Sequence, residues 1–390
     1  MDVRLSAEQK RARDDVRAFC DEHITPFSEG WDRDHEFPRE AVRKMAERGY
    51  LGVFIPKEFG GMGADYITYT IICEEISRAC GSCGVVLSVN NSLTGYPILK
   101  YGTPQQKTRF LTPMARGERL GCFAQTEPGS GSDAGSQTTV ATRKGDEFII
   151  SGTKRFITNG ANAGTILLFA SIDLAKRHKG LTAFLVDSRT KGFSVGKLED
   201  KMGLWASDCA ELVFDECAVP AENLLGKEGD GFKVAMDTLD GGRIGIGAQS
   251  IGIAQRAYDA ALAHAKSKVI DDVPVGKHQH AQFALADMAM GLDACRLLVR
   301  KAAWLRQGGA RVSKEAAMAK LFASEFCMRT VTNAVQVMGL DGTLKGSIAE
   351  RCFRDSKVLE LYEGTSEIQR LVIAGQIYKE LGIEGEKSKA

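Results

Sequence analysis

The chain reads as an α+β protein in three consecutive parts: an N-terminal helical domain, a middle β-domain and a C-terminal helical bundle. Three observations predict it. Residues 1–115 carry apolar residues at helical spacing, with Pro or Gly at most joins. From 116 to 225, short apolar runs are separated by Gly, Asp and Lys turns, and no helical pattern intervenes. From 226 to 390, long amphipathic stretches return.

In the first part the spacing predicts helices over 7–24, 38–49, 67–79 and 104–115. In the second, strands are expected at 148–150, 165–170, 181–186 and 211–214. In the third, helices are expected over 231–268, 279–306 and 313–338, with an Ala-rich segment at 254–265 suited to close packing in a bundle. Only the stretch from 384 onward reads as frayed. A chain of 390 residues is too long for one simple core and suits two or three packed subdomains. With 44% apolar and 26% charged residues it reads as an ordinary soluble globular protein.

A net charge of +1 argues against a nucleic-acid binder, which would show a basic excess. No apolar run is long enough to span a bilayer, and the start Met1-Asp2-Val3-Arg4 lacks a secretory apolar region. Ten cysteines scattered through apolar and helical contexts fit a reducing compartment. Cys80-Gly81-Ser82-Cys83 lacks a second pair or a histidine partner, so it reads as small residues packing near a helix end. No metal site is expected.

Three stretches carry chemistry. In Leu361-Tyr362-Glu363-Gly364-Thr365-Ser366-Glu367-Ile368-Gln369-Arg370, a lone carboxylate sits at a break between helical segments. Thr365 or Ser366 can cap the next helix, and Glu367 and Gln369 can satisfy its first turn. Gly364 permits close approach of backbone or ligand, and a carboxylate aimed into a cavity there would gain basicity. A solvated loop glutamate is the plain alternative.

The second stretch, Phe123-Ala124-Gln125-Thr126-Glu127-Pro128-Gly129-Ser130-Gly131-Ser132-Asp133, makes a tight loop whose N–H groups and hydroxyls can bind a polar ring edge or a phosphate. It is not a dinucleotide fingerprint, because no strand–turn–helix unit follows. The third, Lys154-Arg155-Phe156-Ile157-Thr158-Asn159-Gly160, places an aromatic and a hydroxyl at i and i+2, on one strand face. Gly241-Gly242-Arg243-Ile244-Gly245 mimics a nucleotide loop but lies in a helical pattern, so its glycines are expected to serve close helix packing.

In this order and spacing, the three stretches resemble the acyl-CoA dehydrogenase family of flavoproteins. The resemblance extends over nearly the whole chain, through Pro56-Lys57-Glu58-Phe59-Gly60-Gly61, Lys201-Met202-Gly203, Val219-Pro220-Ala221-Glu222-Asn223-Leu224-Leu225-Gly226 and Gly252-Ile253-Ala254-Gln255-Arg256-Ala257. It implies a helical domain at 1–115, an antiparallel β-domain at 116–225 and a four-helix bundle at 226–390. It also implies an FAD-dependent α,β-dehydrogenation of an acyl-CoA in fatty acid β-oxidation.

The resemblance makes Glu363 the catalytic base, which takes the α-proton while a β-hydride passes to flavin N5. Some members place the base on a helix corresponding to the region of Gly242; glycine there and glutamate at 363 put it at the turn. Flavin contacts fall on Phe123, Gln125, Thr126, Phe156, Thr158 and Thr365. Ser132, Arg243 and Gly364 become substrate-side residues, with Ser132 as a turn residue and Arg243 as a structural ion pair the alternatives. The implied partners are an acyl-CoA, an electron-transfer flavoprotein as acceptor, and further subunits of a homotetramer. The expected compartment is the bacterial cytoplasm, or the mitochondrial matrix if the chain is eukaryotic.

Three positions depart from the family pattern. Where Arg-x-x-Phe-Gly reaches a neighbouring subunit's FAD, this chain has Lys268-Val269-Ile270-Asp271-Asp272. Gln-x-x-Gly-Gly becomes Gln336-Val337-Met338-Gly339-Leu340, and Trp205 replaces an arginine. Lys268, Gln336 and Gly339 are thus the candidate trans contacts to FAD. Lysine loses the planar fork, and two aspartates would repel a pyrophosphate. The changed half-site keeps open a weakly flavin-binding subunit of a hetero-oligomer. Separately, the segment from Val85 to Tyr96, expected to shape the acyl pocket, mixes small and polar residues: Asn90 and Asn91 are expected to satisfy backbone at a helix break, with a cyclic or branched acyl substrate the alternative. A flavin oxidase or monooxygenase on the same fold is a third reading. If the trans half-site is weakened, Lys268→Arg with Asp271→Phe and Asp272→Gly should slow the loss of FAD on dialysis; unchanged retention counts against it.

Overall fold

A computed structural model describes residues 4–383; the stretch expected to fray, from 384, lies outside them. The N-terminal part holds α1 (Ala7–His23), α2 (Ser28–Asp34), α3 (Arg39–Glu47), α4 (Tyr66–Ala79), α5 (Gly81–Ser88), α6 (Tyr96–Tyr101), α7 (Pro104–Gln106) and α8 (Thr112–Ala115). Ser6 and Gln9 cap α1 reciprocally: Ser6 Oγ accepts from the Gln9 N–H at 3.1 Å, and Gln9 Oε1 from the Ser6 N–H at 3.0 Å. Between α5 and α6 the helix widens into a π-turn over Val89–Gly95, a local expansion often found at functional sites.

The middle part contains β1 (Leu120–Ala124), β2 (Val140–Lys144), β3 (Glu147–Thr158), β4 (Ala163–Ser171), β5 (Leu181–Asp187), β6 (Phe193–Leu198), β7 (Cys209–Pro220) and β8 (Leu224–Leu225). The order is β6-β7-β3-β2-β4-β5-β8, with β1 alongside β4. Most pairings are antiparallel, as expected. The exception is β4, which runs parallel to β1 and meets β2 in parallel through the single pair Val140↔Ser171. That pair joins two four-stranded halves, so the sheet is mixed at its centre.

The C-terminal part is α9 (Gly231–Ser267), a hairpin of β9 (Val269–Ile270) and β10 (Val273–Pro274), α10 (Gln279–Gln307), α11 (Ser313–Met338), α12 (Ile348–Ser356) and α13 (Ser366–Glu380). The main core joins α1, α3 and α4 to α9, α10 and α11 through residues such as Phe19, Met45, Tyr69, Ile244, Val299 and Cys327. Buried asparagines tie these parts together: Asn90 and Asn159 link the helical part to the sheet, and Asn91 links segments within the helical part. Asn90 accepts from the Gly121 N–H at 2.8 Å and donates to Leu51 O; Asn91 accepts from the Val53 N–H and donates to Tyr50 O and Leu87 O. Asn159 donates to Val86 O and Gly121 O. Each satisfies backbone groups that burial would otherwise strand.

The glycines of α9 do serve close packing. A Cβ at Gly252 would collide with the Glu74 carbonyl and stand 2.8 Å from the Arg78 nitrogen. Alanine gains about 1 kcal/mol of helix propensity over glycine, but overpacking against backbone costs about 1–3 kcal/mol. Gly252→Ala should therefore lower the melting temperature. Gly129→Ala, with nothing within 4 Å of the added atom, should leave it unchanged.

Candidate active site

Glu363 lies on a turn between the short helix Lys357–Glu360 and α13. Both Glu363 (φ 53°) and Gly364 (φ 94°) are left-handed. Glycine adopts this freely, whereas for glutamate it costs about 1–2 kcal/mol. The turn is held by its carbonyls. Gln369 Nε2 donates to Glu363 O at 3.1 Å and to Gly364 O at 2.9 Å, and Lys320 Nζ donates to Gly364 O at 2.8 Å. Gln369 therefore reaches back beyond the helix start and leaves the first turn to Thr365, whose hydroxyl accepts from the Ile368 N–H at 3.4 Å. In this structure Thr365 acts as a helix cap.

The Glu363 carboxylate is aimed at the bare backbone of α9. A Cβ at Gly242 would collide with Glu363 Oε2 and stand 2.6 Å from Leu93 Cδ2 on the π-turn. Oε2 is buried without a hydrogen-bond partner. Burial pushes the carboxyl up to about 8, against the pull of the Lys320 and Arg243 charges. Arg243 does not line an open CoA side. It is buried and paired with Asp240 at 2.9 Å, and Asp240 also accepts from Ser313 Oγ at 2.6 Å. Leu93 belongs to an apolar cluster with Val85, Val89 and Leu204, edged by half-buried Phe123, Leu239, Val358 and Tyr362, the residue that precedes Glu363.

The loop after β1 is tied down by a buried charge that sequence reasoning missed. Lys154, fully buried on β3, donates to Glu127 Oε1 at 2.7 Å, Gln137 Oε1 at 2.8 Å and Gln125 O at 3.2 Å. Glu127 also accepts from the Thr138 and Thr139 N–H groups. The only signal in the sequence is a lysine at a buried strand position. Beside this anchor, Thr126 O accepts from the Arg155 N–H, and Gln125 Nε2 is buried without a partner. Thr126 and Thr158 are half-buried, while Ser132 is exposed on the loop. Phe156 has φ 58° where the β3–β7 register shifts, so strand alternation alone does not set its direction. Its ring is exposed, with the Arg155 guanidinium 4.7 Å from its centroid.

Lys268, Gln336 and Gly339 form a separate, exposed group. Lys268 caps the far end of α9 and pairs with Asp341 at 3.1 Å. At about 1.5 Å of rise per residue, Lys268 stands about 39 Å along α9 from Gly242, where the Glu363 carboxylate lies. One chain cannot bring both groups to the same flavin ring. Asp271 (φ 50°) and Asp272 (φ 62°) form the two-residue turn of the β9–β10 hairpin, a conformation that favours Asp, Asn and Gly. Backbone geometry accounts for them.

The Lys154–Glu127 pair has a pH signature. Burial would raise the Glu127 carboxyl, but the Lys154 charge, its hydrogen bond and those from Thr139 and Thr138 bring it down to about 2. A carboxyl lowered from 4.5 contributes stability that is full above that value and lost as pH falls toward 2. Glu127→Gln leaves the ammonium uncompensated and should cost about 3–5 kcal/mol at pH 7, read by thermal or urea denaturation. The gap from the parent protein should narrow below pH 4.5.

Comparison with known proteins agrees with this geometry. The N-terminal, middle and C-terminal domains of acyl-CoA dehydrogenase match residues 6–118, 122–217 and 229–378. The mouse protein named short-chain specific acyl-CoA dehydrogenase, mitochondrial, is 47% identical over 377 residues, 97% of this chain and 92% of its own length. Butyryl-CoA dehydrogenase from Megasphaera elsdenii superposes with a TM-score of 0.95 at 40% identity, covering 97% of this chain and 100% of that one. A chain in the structure described as the electron transferring flavoprotein of Acidaminococcus fermentans gives 0.95 at 43% identity, covering 97% and 99%. The chain belongs to the acyl-CoA dehydrogenase family, whose members are flavoproteins.

Proposed function

We propose that this dehydrogenase acts on a short-chain acyl-CoA, with FAD as its flavin and Glu363 as the base. One observation carries the reading: a buried, unpartnered carboxylate oxygen held on a strained turn against the bare backbone of α9. The residues near β1 and β3 suit a flavin ring. Gln125 Nε2 is a buried donor without a protein acceptor, the Thr126 and Thr158 hydroxyls are half-buried, and Phe156 offers an exposed aromatic face. Bound FAD supplies the hydride acceptor. Glu363 removes the α-proton, and its backbone N–H polarises the thioester carbonyl as negative charge builds there. The apolar cluster of Val85, Val89, Leu93 and Phe123 excludes water from the reacting carbons.

A short acyl group fits because Leu93 and α9 close directly around the carboxylate. The names of the mouse and Megasphaera relatives point the same way. Asn90 and Asn91, which could have favoured a cyclic or branched acyl group, have their side chains engaged with backbone. The Acidaminococcus likeness supports an electron-transfer flavoprotein as acceptor. Self-association, as a homotetramer, is supported by an exposed apolar stripe at seven-residue spacing on α10: Phe283, Met290, Leu297 and Trp304. The changes at 268–272 and 340 leave a related second subunit as the alternative partner. Among the described residues no helix is long and apolar enough to cross a membrane. The proposed compartment is the bacterial cytoplasm, or the mitochondrial matrix in a eukaryote.

Anaerobic addition of butyryl-CoA to the FAD-loaded protein should bleach its visible flavin band. Glu363→Gln should keep the band but slow bleaching by about 10²–10⁴-fold. Because the carboxyl is raised to about 8, the parent rate should climb as pH rises toward that value. Equal bleaching by parent and variant would overturn the assignment of the base.

A further inference from the structure

Lys320 lies within α11, inside a run that looks like an ordinary amphipathic helix, yet its side chain is fully buried. Its ammonium donates to Gly364 O at 2.8 Å. The same carbonyl accepts from Gln369 Nε2 on α13, which also holds Glu363 O. The turn is therefore gripped by an amide from one helix and a cation from another. A buried ammonium next to a neutral carbonyl is poorly compensated, and a single hydrogen bond does not explain its burial.

The groups facing Glu363 explain it better. From α9, Arg243 is already paired with Asp240. From α4, Tyr66 and Cys73 are both pushed up to about 12 by burial and carry no charge near neutral pH. Tyr362, on the turn itself, is also pushed up by burial and donates its hydroxyl proton to Gln249. Leu93 presents only methyl groups. Lys320 remains, without a carboxylate ion pair of its own among the described residues; burial pulls its ammonium down to about 8 against the raising pull of Glu363, so it is charged below that value and gives up its charge above it.

We propose that Lys320 is a positioning residue for the reaction: it fixes the base-bearing turn through the Gly364 carbonyl and supplies the buried positive charge that favours an ionised Glu363. The proposal rests on Glu363 being the base. It adds a second requirement, that the base be held and charge-balanced from α11. As the α-proton moves to Glu363 the carboxylate is neutralised, and Lys320 Nζ keeps its hydrogen bond to the turn.

The test uses the FAD-loaded parent, Lys320→Met and Lys320→Gln, each read by flavin absorbance and by anaerobic bleaching with butyryl-CoA across pH 6–10. Lys320→Met should retain the flavin band and bleach about 10–100-fold more slowly at pH 7. Its acid limb should move up by about one pH unit, so that the deficit shrinks at high pH. Lys320→Gln, neutral but still a donor, should show the same displaced limb with a smaller loss of rate. A limb at the parent position overturns the proposal, whether the rate is unchanged or uniformly reduced. Loss of flavin or fold in both variants also overturns it, because Lys320 would then support the whole domain instead of the turn. Failure of the base assignment is separate, since it appears as undiminished bleaching in Glu363→Gln.

Discussion

Glycines at five positions of α9 let four other parts of the protein approach its backbone, and the architecture around the site depends on that bareness. A Cβ at Gly241 would meet Tyr66 Oη of α4 and Arg306 of α10, and one at Gly242 would meet the Glu363 carboxylate. At Gly245 it would stand 2.5 Å from Ser88 Oγ and Tyr69 Oη, and at Gly247 and Gly252 it would meet Val299 and the Glu74 carbonyl. Each glycine costs about 1 kcal/mol against alanine in a helix interior. The return is a 37-residue helix that serves as a common floor for α4, α5, α10 and the turn that carries Glu363. Without it the carboxylate would be held off the helix and the π-turn could not close over it.

Around this floor, buried cations do local work on polar backbone. Lys154 gathers Glu127, Gln137 and the Gln125 carbonyl, which sets the loop beside β3. Lys320 acts on the Gly364 carbonyl, and Arg243 is neutralised by Asp240. Apolar residues of similar size would fill such positions at no desolvation cost, so stability alone is a weak reason for them. The two lysines instead fix segments that regular secondary structure does not: a loop in one case, a left-handed turn in the other. The polar network supplies definition where the ladder of backbone hydrogen bonds is broken.

Much of the fold was legible in the sequence. The helices expected over 231–268, 279–306 and 313–338 differ by at most one residue at either end from α9, α10 and α11, because α10 and α11 bury one face, and α9, though buried all round over 240–254, keeps helical spacing at both ends. The α5 segment Gly81-Ser82-Cys83-Gly84-Val85-Val86-Leu87-Ser88 was not, because it is buried on every side and shows no stripe. Strand β6 escaped notice for the opposite reason, being exposed along almost its whole length. Glu363 stood out as a carboxylate at a helix break. Lys320 and Lys154 did not, since a lone lysine in a helix or strand ordinarily points to water. For Arg243 the sequence left a substrate-side residue and a structural ion pair both open, and the structure shows its i, i+3 pair with Asp240.

The collision between a side chain at 242 and the Glu363 carboxylate also bears on descent. The resemblance places the base of some family members on the helix near this position. Helix and turn cannot both carry a carboxylate in this geometry, because the two would claim the same space. A chain with an acid at 242 needs a smaller residue at 363, and a chain with glutamate at 363 needs glycine at 242, so the two positions are free to change only as a pair.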